Sequence, residues 1–323
     1  MQVNYNSSIC RDATNTEPDN LLVSTAGTTV TDTDGHMKPF QTLLLIYLLA
    51  AVTACTNALG PATSGISLSD EPLTGKFIWH DLISTDIEAD KRFYTGLFGW
   101  QYEYRQGPNG NSYTLAKSGE HYVAGLVNHD KPKDGAKISR WLGYLSVNDV
   151  DLAVRENMAA GGNTVVKPLE LGDFVRVAAI TDPQGAVLGV AQSHIGDPVD
   201  SMAAGPGHVV WNELLASDTV EAASFYRALA GYDIEVLDRH GGKYTMLVAN
   251  GVQRAGILSN PLEGVTPLWL TYFGVSDLEA TTARVTGLGG RVLLPPSADI
   301  RDGKLALVVC PSGALLALQQ WPM

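Results

Sequence analysis

Basic residues and cysteines are both scarce in this sequence. Its 323 residues contain 22 Lys and Arg against 34 Asp and Glu, which gives a formal net charge of −12. The Lys and Arg residues form no cluster, and a nucleic-acid partner needs a basic face, so we exclude that class of partner. The three cysteines lie far apart, at Cys10, Cys55 and Cys310, which excludes both a disulfide framework and a zinc knuckle.

Common catalytic motifs are absent as well. The seven histidines show no HxH or HxxxH spacing, and the chain has no glycine-rich phosphate loop and no serine nucleophile elbow. Hydrophobic residues nevertheless make up 45% of the chain, which is enough for a sizeable core. The length therefore predicts two ordinary folded domains rather than a disordered protein.

The N-terminal part differs in composition from the rest of the chain. Residues 1–36 are polar without apolar periodicity, so we expect them to be disordered or to lie upstream of a true start at Met37. Residues 37–55 resemble a bacterial lipoprotein signal peptide, because Lys38 precedes a short apolar run and "VTAC" ends in Cys55 like a lipobox. The resemblance implies that Cys55 is acylated and becomes the mature N-terminus.

Lipidation at Cys55 would place the protein in the cell envelope. Residues 56–74 contain Gly, Ser and Pro, and we expect a flexible tether that holds a folded body at the membrane surface. Thr56 stands where an inner-membrane lipoprotein would carry Asp, so the resemblance implies an outer membrane, facing the periplasm, in an organism that has one. The alternative is an ordinary secretory signal with a chance cysteine, which would make the protein secreted.

One eight-residue phrase occurs twice, as "WHDLISTD" at 79–86 and as "WNELLASD" at 211–218. Its spacing of 132 extends into the following segment, where Phe93, Tyr94, Leu97 and Gly99 recur as Phe225, Tyr226, Leu229 and Gly231. Two later segments, 141–151 and 182–192, recur as 269–279 and 310–320 at a spacing of 128. The chain therefore contains two copies of one unit, module 1 at 75–196 and module 2 at 205–323, joined by a linker at 197–204.

Each copy has the same order of elements. An alternating strand leads to a helix that Asp86 caps and Gly99 ends, and three strands follow. A further strand leads through Asp149 into a second helix, and a hairpin with a "DPQGA" turn closes the copy. Each module is therefore βαβββ followed by another βαβββ, with four such units in the chain. We predict an α+β fold with curved, mainly antiparallel sheets.

These marks resemble the vicinal oxygen chelate superfamily, which includes glyoxalases, extradiol dioxygenases and bleomycin-resistance proteins. The resemblance covers about 75–196 and 205–322 and rests on "FY…LFGW", "DVD…GG" and "DPQGA", whose order the second copy repeats. It is strongest to tandem glyoxalase-like proteins. It implies that paired βαβββ units curve their sheets around a cleft, where a divalent metal usually sits.

The resemblance implies three metal-ligand positions in each copy. Two lie seven residues before a helix-capping Asp, and the third, a Glu in the family, follows the "DPxG" turn. In this sequence the six positions hold Trp79, Leu142, Gly189, Trp211, Leu270 and Ala317. None of these side chains is a metal ligand, so we predict no metal and no other cofactor at the family site. A divalent metal is the less favoured alternative.

Strand alternation predicts which side chains face the cleft. If the first strand of each copy has no bulge, Phe77, Trp79 and Asp81 share the cleft face of module 1. In module 2 the same holds for Val209, Trp211 and Glu213. Tyr144 and Tyr272 lie two residues after Leu142 and Leu270, the second ligand positions of the two copies. They therefore face the same side of their strands as those positions. The predicted ligand-binding residues are therefore Trp79, Asp81, Tyr144, Trp211, Glu213 and Tyr272.

Asp81 and Glu213 are also the catalytic candidates. An acid at the same place in both copies can accept a hydrogen bond from a ligand or act as a general base. A sheet-edge carboxylate satisfied by backbone amides or by an arginine is the competing interpretation. His80 has the opposite parity to Trp79, and its counterpart is Asn212, so we expect a structural role for it.

Three classes of function remain open. The preferred hypothesis is a membrane-anchored lipoprotein, monomer or homodimer, that binds a small organic molecule in the inter-sheet cleft without the family metal. The alternative is a lyase-, isomerase- or dioxygenase-type enzyme of the same superfamily that uses Asp81 or Glu213. The third is a structural or interaction protein whose cleft is filled by Trp79 and Trp211.

Overall fold

The structure, a computed structural model, describes residues 66–106, 112–131, 138–200, 205–239, 242–262 and 264–322. The predicted signal peptide, the lipidation site Cys55 and most of the predicted tether lie outside these residues. Within the described part of the chain, no helix is long and apolar enough to cross a membrane.

Two successive βαβββ units form module 1. Its elements are β1 (Phe77–Ser84), α1 (Ile87–Phe98), β2 (Gln101–Gln106), β3 (Ser112–Ser118), β4 (His121–Asn128), β5 (Arg140–Ser146), α2 (Val150–Ala159), β6 (Asn163–Leu171), β7 (Val175–Thr181) and β8 (Val187–Ser193). The Asp86 side chain caps α1 by accepting a hydrogen bond from the Ala89 amide, and Gly99 ends the helix in the left-handed conformation. Both ends of this helix were predicted from the sequence.

Module 2 repeats this order. Its elements are β9 (Val209–Ala216), α3 (Thr219–Ala230), β10 (Asp233–Arg239), β11 (Gly242–Ala249), β12 (Val252–Ser259), β13 (Leu268–Val275), α4 (Leu278–Arg284), β14 (Arg291–Leu294), β15 (Leu305–Val309) and β16 (Leu315–Gln320). Short 3-10 helices follow α4 at Thr286–Leu288 and precede β15 at Arg301–Gly303.

Each module is one open eight-stranded sheet. The strand orders are β2-β3-β4-β1-β5-β8-β7-β6 and β10-β11-β12-β9-β13-β16-β15-β14. The two units of a module meet at an antiparallel central pair, β1 with β5 and β9 with β13. Four parallel pairs, β1 with β4, β5 with β8, β9 with β12 and β13 with β16, make the sheets mixed. The α+β architecture of paired βαβββ units is therefore confirmed.

A β-bulge at the start of each central strand changes one sequence prediction. The pairing register shifts between Phe77 and Trp79, and again between Val209 and Trp211 opposite β13. The Phe77 ring packs against Trp269 in a core shared by both modules, with ring centroids 4.9 Å apart. Phe77 and Val209 therefore lie on the helix side of their sheets, and the prediction that they face the cleft is wrong because it assumed regular alternation.

The helices lie at the contact between the modules. Helix α1 packs against α4, and α2 packs against α3. One core joins the second unit of module 1 to the first unit of module 2, and another joins the first unit of module 1 to the second unit of module 2. Each module therefore buries its helix side against the other module, which leaves the opposite side of each sheet for a separate cleft.

Hydrogen bonds across the module contact explain two of the repeated motifs. The Tyr226 hydroxyl of module 2 donates to Asp182 of module 1 at 2.9 Å and accepts from the Trp269 indole at 2.8 Å. In the other half of the contact, the Trp141 indole donates to the Tyr94 hydroxyl at 3.0 Å within module 1, as Trp269 does to Tyr226 within module 2. Cys310 replaces Asp182 there, and burial raises the pKa of its thiol to about 12, so it is an uncharged packing residue. The hydrogen bond from Tyr226 of the second "FY" motif to Asp182 of the "DPQGA" turn thus links the two modules.

The two modules are related by an internal approximate twofold axis. His80 and its counterpart Asn212 contact each other, with His80 Nε2 2.9 Å from Asn212 Oδ1, and both are buried. Direct contact between equivalent residues is expected only near such an axis. The predicted structural role of His80 fits this position on the helix side of the sheet.

We expect His80 to make the protein sensitive to acid. Burial lowers the pKa of its imidazole from 6.5 to about 4, against the opposing effect of the hydrogen bond that Nε2 donates to Asn212 Oδ1. A depressed pKa contributes stability that is present above pH 6.5 and is lost as the pH falls through about 4. This loss amounts to about 3 kcal/mol for a shift of this size. Denaturant unfolding of wild type and of the His80→Gln variant at pH 7 and pH 4 measures the effect. Parallel pH dependence of the two proteins would contradict it.

The end of the predicted tether is attached to the predicted linker. Leu68 forms a β-bridge with Pro198, and the Ser69 amide donates to the Asp197 carbonyl at 2.8 Å. The buried Asp197 carboxylate accepts hydrogen bonds from the Leu73 amide and from the Ser146 hydroxyl, both at 2.6 Å. Residues 66–74 therefore pack on module 1, and the prediction that they belong to a flexible tether is wrong.

Candidate functional site

The carboxyl group of Asp81 is the polar centre of the module 1 cleft. Its Oδ1 accepts hydrogen bonds from the Tyr113 hydroxyl at 2.6 Å and from the Trp79 indole at 2.9 Å. Its Oδ2 accepts one from the Tyr144 hydroxyl at 3.0 Å. Trp79, Asp81 and Tyr144 were predicted together from strand parity, and the structure brings them together. Tyr113, on β3, was not predicted.

Asp81 is buried beside uncharged donors. Asp81 is 4% exposed, and no Lys or Arg among the described residues forms an ion pair with it. Burial raises the pKa of the Asp81 carboxyl, while the hydrogen bonds from Tyr113, Trp79 and Tyr144 oppose that rise. A carboxyl whose proton affinity is raised in this way is suited to accept or share a proton with a bound molecule.

Module 2 has an equivalent carboxylate with a different partner. The Tyr272 hydroxyl donates to Glu213 Oε2 at 2.5 Å, and the Trp211 indole donates to the Tyr244 hydroxyl at 3.0 Å. Glu213 Oε1 forms an ion pair with Arg301, which lies in the loop between β14 and β15. Trp211, Glu213 and Tyr272 therefore lie together as predicted, but Arg301 neutralises the Glu213 carboxylate.

Two glycines make room for these carboxyl groups. Gly125 lies opposite Asp81 in the pairing of β1 with β4, and Gly256 lies opposite Glu213. A Cβ at Gly125 would stand 1.8 Å from the Tyr113 hydroxyl oxygen and 2.1 Å from Asp81 Oδ1. A Cβ at Gly256 would stand 1.8 Å from the Tyr244 hydroxyl oxygen. Each site therefore depends on the absence of one side chain.

The six family metal-ligand positions lie on the central strands and do not fit a metal. The Trp79 indole N–H donates to Asp81 and Tyr113, and Leu142 is buried and apolar. A Cβ at Gly189 would stand 2.3 Å from the Tyr144 ring, so the tyrosine fills the space that the family's Glu would need. Among the described residues, no group of three His, Cys, Asp or Glu is placed to hold a metal ion.

The walls of both clefts are apolar and partly open. Around Asp81, the partly buried side chains are Ile78, Trp79, Tyr122, Leu169, Val175 and Val187. Around Glu213, they include Val210, Trp211, Leu258, Leu293, Leu294 and Ile300. Partial exposure of both tryptophans favours a cleft wall over a complete plug. Apolar walls around a few polar groups are typical of sites for small organic molecules.

A groove of about 490 Å³ lies elsewhere, where the start of α2 meets the end of α3. It is open and is lined by Asn148, Asp149 and Leu152 on one side and by 228–231 on the other. None of the predicted site residues lines it. Because the carboxyl centres lie on the opposite side of the sheets, we place the chemistry in the clefts.

Two repeated patterns in the sequence could have revealed site residues that were not predicted. Tyr113 and Tyr244 both stand in a "YT" pair, and Gly125 and Gly256 both follow Ala, each at a spacing of 131. A spacing of 131 lies between the spacings of 132 and 128 at which the longer motifs recur. Arg301 gives no such signal, because its loop has no counterpart of the same length in module 1.

Two open sheets of paired βαβββ units, packed against each other through their helix sides, define a tandem protein of the vicinal oxygen chelate class. The model of the Glyoxalase/Bleomycin resistance protein/Dioxygenase superfamily matches residues 76–190. The chain belongs to this superfamily.

Known proteins similar to this chain agree with that assignment. The "Putative glyoxylase CFP32" of Mycobacterium tuberculosis is 33% identical over 244 residues, which cover 74% of this chain and 92% of that protein. The "Anthracycline biosynthesis protein DauV" of Streptomyces sp. is 31% identical over 248 residues, 73% of this chain and 90% of its own length. The crystal structure of the Mn(II)-bound glyoxalase from Novosphingobium aromaticivorans has a TM-score of 0.51 at 17% identity, and covers 77% of this chain and 83% of that one. This last likeness concerns the fold alone.

Proposed function

We propose that the protein binds a small organic molecule in the cleft of module 1, with Asp81 as the polar anchor and Trp79 and Tyr144 as walls. The observation that carries this proposal is the buried Asp81 carboxyl, held by three uncharged donors and without a cationic partner among the described residues. A buried acid in such surroundings costs stability, and residues of this kind cluster at functional sites.

The difference between the two modules supports the choice of module 1. Glu213 has Arg301 as a built-in partner, which leaves less of its carboxylate for a ligand. Asp81 has acceptor capacity left, because a carboxylate has about four lone-pair sites and three hydrogen bonds reach it. The names of the relatives, a putative glyoxylase and an anthracycline biosynthesis protein, also connect this family branch with small organic molecules.

Asp81→Asn is expected to abolish binding without unfolding the protein. Since the folded-state pKa of Asp81 is raised, its contribution to stability is present below the unfolded pKa and is lost as the pH rises through the folded value. The isosteric amide carries no charge to bury, so we expect the variant to stay folded at pH 7. Native mass spectrometry after exposure to a cell extract would detect the molecule on wild type and on Asp182→Asn, a buried-carboxyl control, but not on Asp81→Asn. Equal capture by all three proteins would refute the role of Asp81.

We also propose that this binding does not use the superfamily's divalent metal. The lack of donor side chains at the six positions and the Tyr144 ring over Gly189 support this proposal. Elemental analysis of the purified protein is expected to give far less than one Mn, Fe, Ni or Zn per chain, and chelator treatment should leave ligand capture unchanged. One tightly held metal per chain, released together with the ligand, would overturn it.

An enzyme of the same superfamily is the second candidate. The raised pKa of Asp81 favours it, because a general base works best when its pKa approaches the working pH. If the captured molecule is turned over, Asp81→Asn should lower kcat by about 100-fold or more, the usual size of such an effect. Full turnover by that variant would exclude Asp81 as the base.

The membrane anchor is a further part of this proposal. We propose that acylation of Cys55 attaches the protein to the cell envelope, on the strength of the lipobox-like "VTAC" segment. In cells fed a radiolabelled fatty acid, wild type should be labelled and found with membranes, whereas Cys55→Ala should be neither. A labelled Cys55→Ala protein would contradict this attachment.

A further inference from the structure

An arginine stands on the cleft side of module 1. Arg140 is the first residue of β5 and lies directly opposite Ile83 of β1, two residues along β1 from Asp81. Side chains that lie opposite each other in an antiparallel pair share one face of the sheet, and Ile83 belongs to the apolar cluster of the module 1 cleft. The Arg140 side chain therefore leaves the sheet on the same face as Asp81 and Tyr144.

Most of the hydrogen-bonding capacity of Arg140 is unused. Only its Nε–H has a partner among the described residues, the Ile138 carbonyl at 3.3 Å, and none of the described acids forms an ion pair with it. The side chain is only partly exposed, and desolvation lowers the pKa of its guanidinium without an opposing acid. Arginine is rarely buried without a partner, because an unpaired charge in such surroundings lowers stability.

Module 2 shows that the fold does not need this arginine. Leu268 stands 128 residues after Arg140, and it lies opposite Leu215 of β9 as Arg140 lies opposite Ile83. Leu268 packs in the apolar cluster of its own cleft. An apolar side chain therefore occupies this position in the same architecture, so a role in folding does not account for the guanidinium of module 1.

We propose that Arg140 binds the carboxylate of a small organic acid, whose neutral donor group, such as a hydroxyl, hydrogen-bonds to Asp81. This inference rests on the proposed function and names the class of its ligand. A guanidinium matches a carboxylate with two parallel N–H donors, and the two terminal nitrogens of Arg140 are not among the fully buried polar atoms. One guanidinium balances one carboxylate, whereas a phosphate monoester, with nearly two negative charges, would leave an excess beside Asp81.

The positions of the two polar groups also indicate the size of the ligand. Ile83, opposite Arg140, lies two residues from Asp81, which is about 7 Å along a strand. A molecule with roughly the length of one substituted aromatic ring can therefore contact both groups. The net charge of −12 disfavours anions in general, so a preference for an anion requires a local cation such as Arg140.

Three probes of nearly equal shape test the charge requirement. At pH 7 para-hydroxybenzoate is an anion, para-hydroxybenzamide is neutral and para-hydroxybenzamidine is a cation. Calorimetric titration of the full chain should give at least about tenfold tighter binding of para-hydroxybenzoate than of the other two, as expected for a hydrogen bond between charged groups.

Arg140→Leu should remove this preference and leave the protein folded, because it copies Leu268 of module 2. It should bind para-hydroxybenzoate at least about tenfold more weakly than wild type does, with nearly unchanged affinity for the neutral amide. Arg140→Lys keeps the charge and should retain part of the preference. Arg227→Leu is the matched control, because it removes an exposed cation of α3 with the same change in net charge, and it should behave as wild type.

Denaturant unfolding gives an independent test. Without ligand at pH 7, Arg140→Leu should unfold at the same denaturant concentration as wild type or at a higher one, because it buries no unpaired charge. An excess of para-hydroxybenzoate should raise the midpoint of wild type and leave that of Arg140→Leu unchanged. A large loss of stability in Arg140→Leu would show that the arginine serves the fold and would overturn the inference.

The outcomes separate this inference from the proposed function. If para-hydroxybenzoate does not bind wild type, if the neutral amide binds as tightly, or if Arg140→Leu keeps the preference, the carboxylate at Arg140 is refuted. Capture of an extract molecule through Asp81 can still stand in each of these cases. If Asp81→Asn captures that molecule as wild type does, the proposed site itself fails.

Discussion

Replacing Arg301 by Met is expected to lower the free energy of unfolding by about 3 kcal/mol, the low end of the range for breaking a buried ion pair. Glu213 is 1% exposed, so without Arg301 its charge stays buried with only uncharged hydrogen-bond donors. Arg301 itself is 27% exposed, which is why we expect the low end of that range. Denaturant unfolding of the two proteins at pH 7 measures the difference.

A double-mutant cycle separates the ion pair from the packing of the side chain. Glu213→Gln alone should also destabilise the protein, while the Arg301→Met/Glu213→Gln double variant should recover part of the loss, because it buries no unpaired charge. Independent, additive effects, or losses below about 1 kcal/mol as at an exposed salt bridge, would show that Arg301 does not neutralise Glu213 in solution.

Gly125→Ala is expected to abolish ligand binding in module 1. The added methyl group overlaps the Tyr113 hydroxyl and Asp81 Oδ1, at 1.8 and 2.1 Å, so that both groups must move. Overpacking of this kind costs about 1–3 kcal/mol of stability. Displacement of the polar anchor should weaken ligand affinity by about 100-fold or more, as expected when a charged hydrogen-bond partner is lost.

Gly143→Ala is the matched control for this change. Gly143 lies on β5 beside the same central pair, but its Cβ would meet the Phe77 ring at 2.7 Å on the helix side of the sheet. We expect a similar loss of stability with unchanged ligand affinity, measured at a temperature where both variants are folded. Equal loss of affinity in both variants would mean that binding responds to general strain and not to the Asp81 centre.

The fold could be predicted from the sequence because the same order of strands, capped helices and turns occurs in both copies. Asp86, Gly99 and their counterparts mark both ends of the same helix in each copy, and the closing turns coincide in order. The bulges before Trp79 and Trp211 could not be predicted in this way. Both copies have them, so comparing one copy with the other gives no sign of the irregularity.

The site could be predicted only in part. Strand parity correctly gathered Trp79, Asp81 and Tyr144 on one face, because β1 and β5 are direct neighbours in the sheet. Tyr113 reaches Asp81 from β3, two strands away in the sheet order, and parity along one strand carries no information about that distance. Arg301 reaches Glu213 from a loop between β14 and β15 that is longer than its counterpart between β6 and β7, so only the folded chain brings them together.

The two modules have kept one architecture and changed its centre in different ways. Module 2 pairs its acid, Glu213, with Arg301 of the same chain, which stabilises the fold. In module 1 the described partners of Asp81 are uncharged donors, and burial raises the pKa of its carboxyl, as at many functional sites. We therefore interpret module 2 as the module that supports the structure and module 1 as the module that binds.

The most direct test of this account is a crystal structure of the protein with the molecule captured from a cell extract. The account predicts electron density for that molecule in the cleft of module 1, with a polar atom within hydrogen-bond distance of Asp81 and no metal ion beside Trp79, Leu142 or Gly189. Density in the cleft of module 2 or in the groove beside α2 would contradict it, as would a metal ion bridging the molecule to the module 1 sheet.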